Sequence, residues 1–165
     1  MGCGSNNSAQ VKERSTFFST KQFLASFNFN DENQGSFTKT ITLNGKSDRQ
    51  RVDTVNYLND LSMMLEGDIS AVSLDDKFKL IQSPSGTQEY TSLSDKQLTD
   101  TLVVQFDEQE EVQSIYLRTS KKTELYTSHG RLFYKPAEGY EVHKWRSSSV
   151  FTEQDLKITV QAIGN

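Results

Sequence analysis

From Lys77 onward the chain is a series of extended runs whose separating gaps leave room only for a reversal of direction. The runs cover 78–82, 87–93, 102–106, 112–119, 124–134, 140–146 and 156–163. Turn-forming residues occupy most of the gaps: Pro84-Ser85-Gly86, Asp107-Glu108-Gln109-Glu110-Glu111, Ser120-Lys121-Lys122 and Pro136-Ala137-Glu138-Gly139. A parallel crossover needs about a dozen residues or more, so sequential strands must run antiparallel, and a meander is the simplest topology. In the last run Leu156, Ile158, Val160 and Ala162 alternate with Lys157, Thr159 and Gln161. That is the pattern of a sheet with one face in the core. Gly130 interrupts the 124–134 run and predicts a bulge, hence a curved sheet.

Before this series, Ser19 or Thr20 is placed to N-cap a short helix with Phe23, Leu24 and Phe27 on one side. A helix this short is not stable alone, so Phe23 and Phe27 are expected to dock on the sheet. Phe37, Lys39, Ile41 and Leu43 then alternate with three threonines and lead into Asn44-Gly45, the signature of a type I′ hairpin turn. The return strand, 46–52, is polar, which puts the hairpin at an edge or leaves one side exposed. Asp53 reads as the N-cap of a helix to about Glu66, with Gly67 at C′. Its apolar stripe of Leu58, Leu61 and Leu65, flanked by Tyr57 and Met64, is expected to pack on the sheet.

At 165 residues the chain suits one domain. Its apolar share of 34% is low, so the core must be thin, while 10 Phe, 6 Tyr and one Trp argue against disorder. The expected fold is α+β: a curved, mostly antiparallel β-sheet, a meander or half-barrel, with two short helices packed on it. Residues 17–165 would form this single domain and residues 1–16 a tether.

Composition narrows the chemistry. A formal charge of −4 gives no electrostatic reason to approach nucleic acid. One cysteine and two histidines cannot furnish a cysteine/histidine zinc site, and no metal or cofactor is expected. There is no G-x-S-x-G elbow, phosphate-cradling glycine loop or H-E-x-x-H, and His129 and His143 each fall in a strand where a half-exposed surface histidine is the common outcome. No catalytic residue is assigned, and a hydrolase built on carboxylates alone is the enzyme class left open. The acidic 107–111 cluster lacks EF-hand spacing and reads as a solvated hairpin tip. One candidate binding surface stands out: Glu141, His143 and Trp145 share a strand face, opposite Tyr140, Val142 and Lys144. A partly buried, purely structural Trp145 is the competing interpretation.

Cys3 lies in Met1-Gly2-Cys3-Gly4-Ser5-Asn6-Asn7-Ser8, and the sequence has no apolar run of about 18 residues, so membrane contact would be covalent or peripheral. Three chemistries fit that cysteine. Gly2-Cys3-Gly4-Ser5-Asn6-Asn7 resembles a lipobox junction, where a cysteine is lipidated after signal-peptide cleavage and small polar residues form a tether; Met1 would then replace the removed peptide. Gly2 and Cys3 also suit eukaryotic myristoylation plus palmitoylation, although Asn6 stands where that pattern has Ser or Thr. The third is an ordinary N-terminus carrying an unmodified thiol.

The stretches Leu125-Tyr126-Thr127-Ser128, Leu132-Phe133-Tyr134-Lys135-Pro136 and Gly139-Tyr140-Glu141-Val142 resemble a pattern in uncharacterised cell-envelope lipoproteins of Bacteroidota. In those chains, as here, a short helix, a Thr-Lys-Thr strand and a helix ending in an acidic-Ile pair, here Asp68-Ile69, come first. The resemblance spans most of 17–164 and implies an envelope location and a lipidated Cys3, with no activity. The expectation is therefore a non-enzymatic lipoprotein on the periplasmic side of a bacterial outer membrane, binding an envelope protein or an apolar ligand. A half-barrel carrier of lipid or lipoproteins is the second expectation. The third is an acylated adaptor on the inner face of a eukaryotic membrane.

Overall fold

A computed structural model describes residues 17–26, 34–150 and 152–163. Among the described residues nine strands build one sheet: β1 (Gln34–Leu43), β2 (Lys46–Thr54), β3 (Phe78–Gln82), β4 (Thr87–Ser92), β5 (Thr99–Phe106), β6 (Val112–Lys122), β7 (Tyr126–Lys135), β8 (Gly139–Ser148) and β9 (Gln154–Ala162). Their order is β2-β1-β9-β8-β7-β6-β5-β4-β3, and every neighbouring pair is antiparallel. The expected meander is present from β3 to β9. The N-terminal hairpin joins its far side, with Ile41 opposite Ile158. β2 and β3 are the two edges and do not pair, so the sheet is open.

The hairpin turn forms as its residues dictate, with φ of 49° at Asn44 and 80° at Gly45. Asn44 also ties the turn to β9, since its amide donates to Asp155 O and its Oδ1 accepts from Asp155 N, both at 2.8 Å. The outer strand β2 is exposed along nearly its whole length, and Lys46, Arg49 and Arg51 guard that edge against further pairing.

Among the described residues three short α-helices lie on one face: α1 (Thr20–Ala25), α2 (Tyr57–Asp60) and α3 (Ser62–Glu66). Beneath them Tyr90, Leu102, Val104, Ile115, Leu117, Leu132, Val142 and Val160 are sealed from solvent, together with Leu24, Leu61 and Met64 from the helices. Ser19 caps α1 by accepting from Gln22 N. Asp68 then fastens this helix to the chain after α3, accepting from Lys21 N at 3.1 Å, Ser19 Oγ at 3.0 Å and Ser70 Oγ at 2.5 Å. Phe23 docks edge-on against Tyr134, its ring centroid 5.8 Å away. Phe27 lies outside the described residues.

Several expectations need correction. Asp53 belongs to β2, and the helix cap is Asn56, whose side chain accepts from Asn59 N. The expected single helix to Glu66 is broken at Leu61 (φ −95°, ψ 20°), giving three helices in place of two. The break rotates the second turn. Leu58 and Leu65 are therefore 49% and 41% exposed, while Tyr57, Leu61, Met63 and Met64 are buried. Gly67 is not left-handed (φ −92°); its hydrogen side chain lets Leu117, Met63 O and Thr99 Oγ1 close in. Ser120-Lys121-Lys122 continues β6, and the reversal falls at Thr123, whose amide donates to Tyr126 O and whose hydroxyl accepts from Tyr126 N.

Gly130 makes no bulge, because pairing runs unbroken through it to Thr119 on one side and Lys144 on the other. Its role is close approach. A Cβ there would sit 2.6 Å from both Met63 Cε and Thr119 Oγ1, so α3 rests directly on the backbone of β7.

Candidate functional site

The register of β7 and β8 assembles the candidate surface. Pairing proceeds from Lys135 opposite Gly139, which puts Phe133 across from Glu141, Arg131 across from His143 and His129 across from Trp145. Tyr140 and Val142 are buried under the helices. By alternation Glu141, His143 and Trp145 share one face, as expected; it is the helix-free one, and all three are half-buried.

Trp145 is the centre of this group. Its ring stacks on His129 with centroids 5.1 Å apart and planes inclined by 23°, and His143 lies 4.8 Å away on its own strand. The Arg131 guanidinium sits 5.3 Å from the indole centroid, within cation–π range. His143 Nε2 meets Asp155 Oδ1 at 2.6 Å, and Lys157 Nζ meets Glu141 Oε2 at 2.9 Å. Both pairs are solvent-facing, so each contributes at most about 1 kcal/mol. The result is an aromatic platform with the Arg131 guanidinium against its indole and the exposed Phe133 next to it on the same face. Sequence reasoning treated His129 separately and missed Arg131, Asp155 and Lys157. Counting back from the Pro136–Gly139 reversal would have found the two β7 partners.

The opposite face carries a second feature. The helices cover the middle of the sheet and stop short of the end formed by Leu43, Leu156 and Tyr126. There a groove of about 630 Å³ opens beside α3, lined by Leu43, Met63, Leu98 and Leu156 together with Lys121 and Lys144. Leu43 is 51% and Leu98 37% exposed. Ile41, on the same face of β1, is also exposed. Burying a leucine is worth about 1.5–3 kcal/mol, so leucines gathered in one hollow favour an apolar occupant. Lys144 Nζ donates to Ser62 Oγ at 3.3 Å, at the start of α3. Neither it nor Lys121 has an ion-pair partner among the described residues.

Deeper under the helices lies a polar triad. Lys39 Nζ reaches Asp60 Oδ2 at 2.5 Å, and the Tyr140 hydroxyl donates to the same oxygen at 2.6 Å. The Asp60 side chain is only 3% exposed, so these two donors stand where water would otherwise solvate its carboxylate. The Tyr140 hydroxyl is held far above its ordinary pKa, first by burial, then by its bond to Asp60 and the charge there. The triad fixes α2 to β1 and β8.

Among the described residues no three His, Cys, Asp or Glu side chains are placed to hold a metal, and no helix is long and apolar enough to cross a membrane. The acidic 107–111 stretch is a hairpin tip, with Asp107 Oδ1 accepting from Gln109 N and Glu111 N. Cys3 lies outside the described residues. Comparisons with protein-family models, with curated proteins and with solved structures find no match to this chain.

Proposed function

We propose that this chain is a non-enzymatic binding domain, anchored by an acylated Cys3 to the periplasmic side of a bacterial outer membrane, which takes an apolar ligand in the groove beside α3. The observation that carries the ligand assignment is the exposure of Leu43 and Leu98 in one hollow with Leu156 and Met63. The small polar residues after Cys3 suit a tether, and the lack of an acidic run directly behind it favours the periplasmic side. The resemblance to envelope lipoproteins of Bacteroidota points the same way.

Native mass spectrometry of the full chain, purified without detergent, tests the ligand: a bound apolar mass is expected, and a clean apo mass overturns it. Cell fractionation tests the anchor. The native chain should sediment with membranes and the Cys3→Ser variant should not; equal solubility of the two removes the anchor.

A half-barrel carrier is the second proposal, favoured by an open sheet whose helices leave one end of their own face uncovered. A carrier hands its ligand from one vesicle population to another, whereas a resident binder retains it. A fluorescent lipid-transfer assay separates the two. The helix-free platform around Trp145 would in either case face a protein of the envelope.

A further inference from the structure

We infer that the ligand of the groove beside α3 is a single-chain anionic amphiphile, a long-chain fatty carboxylate, whose headgroup is held by Lys144 with Lys121. This rests on the assignment of the groove as an apolar-ligand site and adds the chemistry of the headgroup.

The charge around the groove runs against that of the whole chain. The protein carries −4 overall, yet the lining holds Lys121, Lys144 and Arg146 against the lone carboxylate of Glu66. Arg146 is partly engaged, its guanidinium lying 5.0 Å from the Tyr126 ring centroid. Lys121 and Lys144 are not paired with any described carboxylate, and Lys144 is held only by the Ser62 hydroxyl. Compare Lys39, which enters the same face of the sheet and is neutralised there by Asp60. A pure hydrocarbon would leave these ammonium groups unpaired, and a neutral hydroxyl would offer them only an uncharged acceptor. An anionic head would pair with them.

The geometry also orders the two ends of such a ligand. Along β8 the helix-covered face reads Val142, Lys144, Arg146, from sealed core to open rim, so the cations begin where the apolar cover ends. Leu43, Leu156 and Leu98 flank this boundary and would take the hydrocarbon. A volume of about 630 Å³ falls within the range of pockets that hold one small ligand.

The test is calorimetric titration of the full chain, in detergent-free buffer and below micelle-forming concentrations, with hexadecanoate and separately with hexadecanol. Hexadecanoate should bind about tenfold or more tightly than the alcohol, as a charge-assisted contact implies. Lys144→Met should erase that preference, while Lys144→Arg, which keeps the charge, should retain it. Leu43→Asp, at an exposed position, should weaken both ligands. Equal binding of acid and alcohol overturns the headgroup inference and leaves the apolar groove standing. Binding of neither overturns both. Hexadecanoate binding unaffected by Leu43→Asp places the site elsewhere and overturns the inference, as does binding to intact phosphatidylglycerol vesicles with no uptake of free hexadecanoate.

Discussion

The Tyr140 hydroxyl donates to Asp60 Oδ2 at 2.6 Å, joining β8 to a helix 80 residues earlier in the chain. Lys39 shares that oxygen, so three distant elements meet on a single buried carboxylate. Asp60→Ala should cost about 3–5 kcal/mol, because it strands the Lys39 ammonium under the helices. Tyr140→Phe removes one donor and leaves the ion pair, and should cost about 1–3 kcal/mol. Urea denaturation of both variants checks the ranking. A Tyr140→Phe cost equal to that of Asp60→Ala would show that Lys39 has water as an alternative partner.

Buried phenols also set an alkaline limit of stability. Tyr140 and Tyr90 both have hydroxyls whose pKa is raised above 10.0, chiefly by burial, so folding favours their protonated forms. Their contribution is full below about pH 10, where the unfolded chain also keeps its phenol protons, and is lost as the pH climbs above it. Stability should then fall with rising pH, by no more than about 1.4 kcal/mol per pH unit for each such tyrosine, until the folded chain also loses the proton. Denaturation midpoints measured across the alkaline range should decline less steeply for Tyr140→Phe and for Tyr90→Phe than for the native chain.

Gly130→Ala should destabilise the protein by about 1–3 kcal/mol, since the added methyl overlaps Thr119 Oγ1 inside the sheet as well as Met63 Cε above it. Met63 is long and unbranched and can swing aside, whereas the β-branched Thr119 has fewer rotamers to turn to. Pairing the change with Met63→Ala should therefore recover only part of the loss in thermal unfolding.

Asp68→Ala should release α1 while sparing the sheet. It deletes acceptors for Lys21 N, Ser19 Oγ and Ser70 Oγ, none of which belongs to a strand. Hydrogen exchange across 20–25 should accelerate several-fold, with protection of β5 to β8 unchanged. Equal acceleration in the strands would mean that α1 is part of the cooperative core.

The strand series was legible because its signals are local: alternation in 156–163, Asn44-Gly45 and the proline-bearing turns each act over a few residues. The helix break at Leu61 was not, because burying Asp60 against Lys39 and Tyr140 depends on partners remote in sequence. The same tertiary pull exposed Leu58 and Leu65, which periodicity alone had assigned to the core. Gly130 signalled something special in its strand, but the cause, Met63 pressing on it from above, lies outside any window around it. At the candidate site, Glu141, His143 and Trp145 followed from alternation, whereas His129 and Arg131 needed the β7–β8 register. The groove was invisible for a further reason. Leu43 and Leu156 have the pattern of core residues, and only the length of α3 leaves them uncovered.

Because β1 finds its inner neighbour in β9, the β1–β2 hairpin waits during synthesis, one flank bare, until β9 has been made. Truncation near Gln154 would orphan that hairpin and strip β8 at once, turning two interior strands into sticky ends, so cells should treat prematurely terminated copies as prey for proteases rather than as shortened but serviceable protein.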